Sequence, residues 1–189
     1  MKKFGKILFV LGSLLIALSL VLLVFMQANA RKAEAENERI VQIMESILTD
    51  RRAGSAGETG PMPVLNLQGE DYVALLEIPA YGLKLPVGNV WDSGLAVSHP
   101  CRFDGSAYDG SLVIGGFDQA GQFDFFDRIS DGAKVILTDM TGCTFTYEVA
   151  RVDRADSAEA GILMQDEAAL TLFVRDSRLL QYIIIRCVT

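Results

Sequence analysis

The chain opens with a long apolar run. No charged residue lies between Ile7 and Ala30, and Ile7 to Met26 is broken only by Gly12, Ser13 and Ser19. At about 1.5 Å per residue this run extends roughly 30 Å, the hydrocarbon thickness of a bilayer, so 7–30 is predicted to be a transmembrane anchor. Ile40, Ile43, Met44, Ile47 and Leu48 then recur at helical spacing, which predicts a short amphipathic helix over 31–52. Acids early in that segment (Glu34, Glu36, Glu38) and Arg51 and Arg52 at its end suit a helix dipole. Gly, Ser, Ala, Thr and Pro dominate the next stretch, marking 53–68 as a linker. From there to residue 189 the pattern becomes that of strands. Candidates run over 72–78, 83–87, 111–115, 134–138, 144–151, 169–174 and 181–187, with turns at Asp109-Gly110, Asp131-Gly132 and Thr141-Gly142. Residues 123–129 fit a single helical turn. The expectation is a mainly β domain, a sandwich or a barrel, over 69–189.

Charge adds direction. Lys2, Lys3 and Lys6 precede the apolar run, so the positive-inside rule puts residues 1–6 in the cytoplasm and the domain outside, although Arg31 and Lys32 weaken the asymmetry. Ala28-Asn29-Ala30 has the small-x-small form of a signal-peptide cleavage site. The run is longer than the usual h-region of about 7–15 residues, which favours an uncleaved anchor. Three of the 17 basic residues and none of the 24 acidic ones fall in the first thirty positions, so the remainder carries a net charge of −10. That argues against a nucleic-acid partner and against a second, electrostatic grip on anionic lipid.

Candidate chemistry is sparse. The cysteines are Cys101, Cys143 and Cys187, the only histidine is His99, and there is no CxxC. A Cys/His zinc site is therefore not expected, and no other cofactor is implied. Asp104, Asp109, Asp118, Asp124 and Asp127 do not have EF-hand spacing and read as solvated loop acids, with no metal.

Several segments match one known family in order. They are Tyr72-Val73-Ala74-Leu75-Leu76-Glu77-Ile78-Pro79 with Leu83-Lys84-Leu85-Pro86-Val87, Pro100 to Ser106, and Leu112-Val113-Ile114-Gly115-Gly116. Asp131 to Val135, Phe145 to Val149, Leu170-Thr171-Leu172-Phe173 and Ile185-Arg186-Cys187 complete the set. In these the chain resembles the sortases, cysteine transpeptidases, in particular the class B-like type of Firmicutes. The resemblance implies an eight-stranded β-barrel behind a single N-terminal anchor, hence a single-pass protein of a Gram-positive-type cell membrane with its C-terminal domain outside. It also implies a site of one cysteine, one histidine and one arginine. By the matching segments the histidine follows Gly116, where this chain has Phe117; the cysteine follows Val174, where it has Arg175. The arginine begins the last strand, at Tyr182, or at Gln181 if the register slips by one.

Phe117 has no titratable proton, Arg175 offers no nucleophile, and Tyr182 brings no positive charge to an oxyanion. The resemblance is thus to a catalytically degenerate sortase: a membrane-anchored binding or scaffolding module for a peptide or envelope protein. The competing readings are an active transpeptidase using non-standard residues and a purely structural domain. Rescue by Cys101 and His99, two residues apart, lacks an oxyanion site, and His99 is read as a surface-loop residue. Cys143 is read as an inert thiol in a hairpin turn. Cys101 and Cys187 stand where the resemblance implies cysteines in close relatives and are assigned a shared structural role, with their pairing left open. Arg175 either plugs the old groove through a cation–π contact with Phe117 or holds a carboxylate or carbonyl of a bound peptide; Phe117, Tyr182 and Gln181 would flank it.

Overall fold

The computed structural model of the chain describes residues 2–50, 60–157, 159–163, 168–176 and 181–189. Between Ser13 and Asp50 there is neither glycine nor proline, and one helix, α1 (Lys2–Asp50), runs through the whole stretch. The anchor and the amphipathic helix expected separately are therefore a single element. The helix does not restart at residue 31, so Glu34, Glu36 and Glu38 lie mid-helix and gain nothing from an N-terminal dipole. Arg51, Arg52 and most of the expected linker lie outside the described residues.

The early part of α1 is apolar on every side. Its described large apolar side chains are 53% (Leu22) to 79% (Phe9) exposed. Among the described residues no helix is long and apolar enough to cross a membrane. The later part of α1 docks instead. Ile40, Val41 and Met44 are buried against Tyr72, Leu75 and Met140, and Asn37 Nδ2 donates to the Ser98 carbonyl at 2.7 Å. Lys84 Nζ joins Glu45 (2.5 Å) on the helix to Glu77 (3.2 Å) on the barrel.

Nine strands follow: β1 (Leu65–Leu67), β2 (Glu70–Ile78), β3 (Leu83–Gly88), β4 (Cys101–Asp104), β5 (Leu112–Phe117), β6 (Lys134–Asp139), β7 (Thr144–Ala155), β8 (Leu170–Arg175) and β9 (Tyr182–Val188). They form one sheet in the order β1-β2-β3-β4-β5-β8-β9-β7-β6, and a β2–β6 pairing closes β2 to β9 into an eight-stranded barrel. The seven expected strands are all present. The additions are β4, only four residues long, and β1, which pairs with β2 at the end of the segment read as linker. Three of the turns use glycines in the left-handed region, Gly110, Gly132 and Gly142.

Period-two alternation fills the barrel. Leu112 and Ile114 of β5, Leu170, Leu172 and Val174 of β8, and Ile183, Ile185 and Cys187 of β9 point into one core with Val73, Leu76, Val135 and Tyr147. The β6–β7 turn is tied by the fully buried Asp139. Its carboxylate accepts from the Thr141 and Cys143 amides, the Thr141 hydroxyl and the Tyr108 hydroxyl.

Candidate functional site

With even-numbered residues of β5 and β8 facing the core, the odd ones face outward. On that outer face Val113, Phe173 and Ile184 form a second apolar cluster with Leu163, bordered by Trp91, Phe103, Ile162 and Tyr182. The register places Phe117 opposite Arg175 across the parallel β5–β8 pair and Arg175 opposite Tyr182 across β8–β9. Directly opposed residues project from the same face of a sheet. The three positions singled out in the sequence are thus one terminal rung across three adjacent strands.

Around that rung lies a cavity of about 240 Å³ lined by Trp91, Phe103, Phe117, Phe173, Arg175 and Tyr182, with Ser93 and Gly116. Trp91 is its keystone. Its ring lies 5.3 Å from Phe173, 6.0 Å from Phe103 and, roughly parallel, 6.3 Å from Phe117. Phe173 also meets Phe103 edge-on at 5.4 Å. A Cβ on Gly115 would stand 2.3 Å from the Phe173 ring and 2.6 Å from Trp91, so only glycine lets these rings close over β5.

Loops hold the walls. The Phe117 amide donates to Gln122 Oε1 at 2.5 Å, and Gln122 Nε2 donates to the Ala96 carbonyl at 3.1 Å. This links the end of β5 to the segment carrying Trp91. On the other side the short helix α2 (Ala160–Leu163) covers the outer face. The buried Arg186 guanidinium fixes it, donating to the Ile162 (2.7 Å) and Leu163 (3.2 Å) carbonyls and to Asp153 (3.2 Å).

Phe117 and Arg175 line the same cavity, and the Phe117 ring stacks on Trp91. Arg175 is exposed, and its side chain makes no hydrogen bond, ion pair or ring contact with a described residue. Gln181 turns away and donates to Asp156 at 3.1 Å. Trp91, Phe103, Gly115 and Gln122 were not apparent as site residues in the sequence. The one available signal was that Trp91 is the only tryptophan.

The thiols and the imidazole lie elsewhere. All three cysteines are free and buried, so Cys101 and Cys187 form no disulfide with each other. Burial pushes the Cys101 thiol up to about 11 and the Cys187 thiol up to about 12, and raises Cys143. His99 is 2% exposed, which corrects its reading as a surface-loop residue. The helix-to-loop bond from Asn37 to Ser98 and the Tyr72 ring, 5.1 Å away, enclose it. Burial lowers the imidazole's pKa, and Glu70, 3.9 Å from Nε2, opposes that shift. Cys101 Sγ and His99 Nε2 flank Gly88, each 3.0 Å from where its Cβ would lie, but neither lines the groove cavity.

Among the described residues no group of three or more His, Cys, Asp and Glu side chains could hold a metal ion. Asp104 and Asp109 accept from the backbone amides of their own turns.

No protein-family model and no curated protein sequence matches the chain. Solved structures do. A sortase A from Corynebacterium diphtheriae superposes with a TM-score of 0.53 at 18% identity, covering 85% of this chain and 93% of its own. A Clostridium perfringens sortase D5 transpeptidase gives 0.53 at 15%, covering 85% and 98%. A sortase C from Clostridium perfringens SM101 gives 0.51 at 14%, covering 85% and 86%. The fold is the sortase fold. These neighbours are a sortase A, a sortase C and a sortase D5, so the likeness is to a barrel common to them and selects no class. In this sortase-type barrel the terminal rung of β5, β8 and β9 carries an aromatic, an arginine and a phenol.

Proposed function

We propose that the protein is a non-catalytic binding module on a sortase-type barrel, held at the outer face of a membrane by the apolar part of α1, and that its groove takes a peptide or a segment of an envelope protein. One observation carries this reading: the rung expected to hold nucleophile, base and oxyanion donor holds Phe117, Arg175 and Tyr182. Acyl transfer to sulfur needs a thiolate. A thiol at about 11, as for Cys101, is ionised to roughly one part in ten thousand at neutral pH. Arg175 stays protonated throughout. The juxtaposition of Cys101 and His99 is the one feature that favours a relocated active site, and the burial of both speaks against it. The membrane assignment is supported by the exposed apolar side chains of the early part of α1, which in water would be uncovered, and by the three lysines before the apolar run.

The test uses the full chain in lipid nanodiscs with a panel of fluorescent peptides, an amine acceptor and hydroxylamine as a thioester trap. We expect saturable peptide binding that Phe173→Ala abolishes, with no hydroxamate and no covalent adduct by mass spectrometry. An adduct or peptide cleavage that disappears in Cys101→Ala or Cys143→Ala would restore the enzyme reading.

A further inference from the structure

Resting on that binding reading, we infer that the groove recognises the free C-terminal end of a peptide whose last side chain is large and apolar: the side chain enters the aromatic cavity and the terminal carboxylate meets Arg175. Size comes first. A cavity of about 240 Å³ falls below the roughly 300–1,000 Å³ of pockets for drug-sized ligands, and suits one side chain. Its lining is aromatic, with Trp91, Phe103, Phe117, Phe173 and Tyr182 converging on the same space, so the side chain is apolar.

The groove is also covered on one side. One rung further along the outer face, Leu163 packs fully buried over Val113, Phe173 and Ile184. Arg186 pins that cover through two carbonyls. A peptide lying along β8 meets this cover instead of open groove, so the occupant presents an end. Charge then selects which end. Arg175 is the cation in the cavity lining; it is exposed, and no described carboxylate neutralises it. Its planar fork matches a carboxylate in two parallel hydrogen bonds and repels an N-terminal ammonium. The chain as a whole is acidic, with a formal charge of −7, so the one cation among the described lining residues of an aromatic cavity is a localised anion site.

A carboxylate can come from a chain terminus or from an Asp or Glu side chain, and the experiment separates the two. Full-length protein in nanodiscs is titrated with fluorescein-labelled Gly/Ser octapeptides ending in Leu or Phe, as free acid or as C-terminal amide. A third peptide is amidated but carries Glu just before the last residue. Trp91 emission gives a second readout, since the sole tryptophan lines the cavity. The free acid is expected to bind at least tenfold more tightly than the amide, and a terminal Ala to weaken it at least tenfold. Arg175→Gln should bring the acid down to the amide's affinity, and Arg175→Lys should restore part of the difference. Equal binding of acid and amide, with both lost on Phe173→Ala, overturns the terminus assignment and leaves the groove reading standing. Tight binding of the amidated Glu peptide overturns it in favour of a side-chain carboxylate. Absence of binding by every peptide overturns both.

Discussion

Tyr147 is 1% exposed, on β7 in the barrel core, and its hydroxyl has no hydrogen-bond partner among the described residues. Burial raises that phenol's pKa, with Cys187 and Cys143 nearby. An unsatisfied buried hydroxyl costs about 1–3 kcal/mol of desolvation with no compensating bond. Tyr147→Phe is therefore expected to stabilise the barrel by about 1 kcal/mol, read as a melting temperature a few degrees higher; an unchanged or lower value would mean that the hydroxyl is satisfied. His99 makes a prediction of the opposite kind. Its folded pKa lies below the ordinary 6.5 because burial disfavours the imidazolium. As pH falls through about 6.5 the unfolded chain takes up a proton that the folded chain resists, so stability declines until the folded group is itself protonated. The slope has a ceiling of about 1.4 kcal/mol per pH unit. Denaturant midpoints from pH 7.5 to 5 should fall more steeply for the natural protein than for His99→Gln, and parallel curves would remove His99 as the cause.

Gly115 decides how the outer face of β5 meets its cover. Adding a methyl there drives a carbon to 2.3 Å from Phe173 and 2.6 Å from Trp91, and Phe173 is held edge-on against Phe103, so it cannot simply rotate away. Overpacking of this kind costs typically about 1–3 kcal/mol. Gly115→Ala is expected to lower the melting temperature and shift Trp91 emission, whereas an unchanged spectrum would mean that the rings yield freely. The same element shows what a sequence discloses. Alternating residues of β5, β8 and β9 made these strands legible, and the segment matches located Phe117, Arg175 and Tyr182 before any register was known. The aromatic cage was hidden because Trp91 and Phe103 lie in a loop and a four-residue strand whose contacts with Phe173 are long-range in the chain. Strand β1 was hidden because its three residues, Leu65-Asn66-Leu67, follow a Gly- and Pro-rich stretch and are ordered by pairing with β2. His99 was misread for a related reason: its burial comes from α1 folding back onto the loop, a tertiary contact with no local signature.

At the scale of the whole molecule, helix α1 clamps the barrel, and in the membrane reading proposed above it would also carry the anchor. Its docked part, Asn37 to Leu48, is packed on the barrel through Ile40, Val41 and Met44, and nothing between Met26 and Asn37 breaks the helix. Eleven residues at about 1.5 Å each set the docked part roughly 16 Å beyond the end of the apolar run. A continuous helix of that length fixes orientation as well as distance, so the groove would face one direction relative to a bilayer instead of sweeping freely on a tether. Ala35→Pro tests this without replacing a buried residue of the docked face. Proline there removes one helical hydrogen bond and clashes with the preceding turn, while Ala35 is exposed and the buried residues from Asn37 onward stay in place. Energy transfer from a dye on the barrel to acceptor lipids in nanodiscs is expected to give a narrow distance distribution for the natural chain and a broad one for Ala35→Pro, at unchanged barrel melting temperature. A broad distribution in both would mean that the helix hinges on its own, and that the groove is displayed on a flexible stalk.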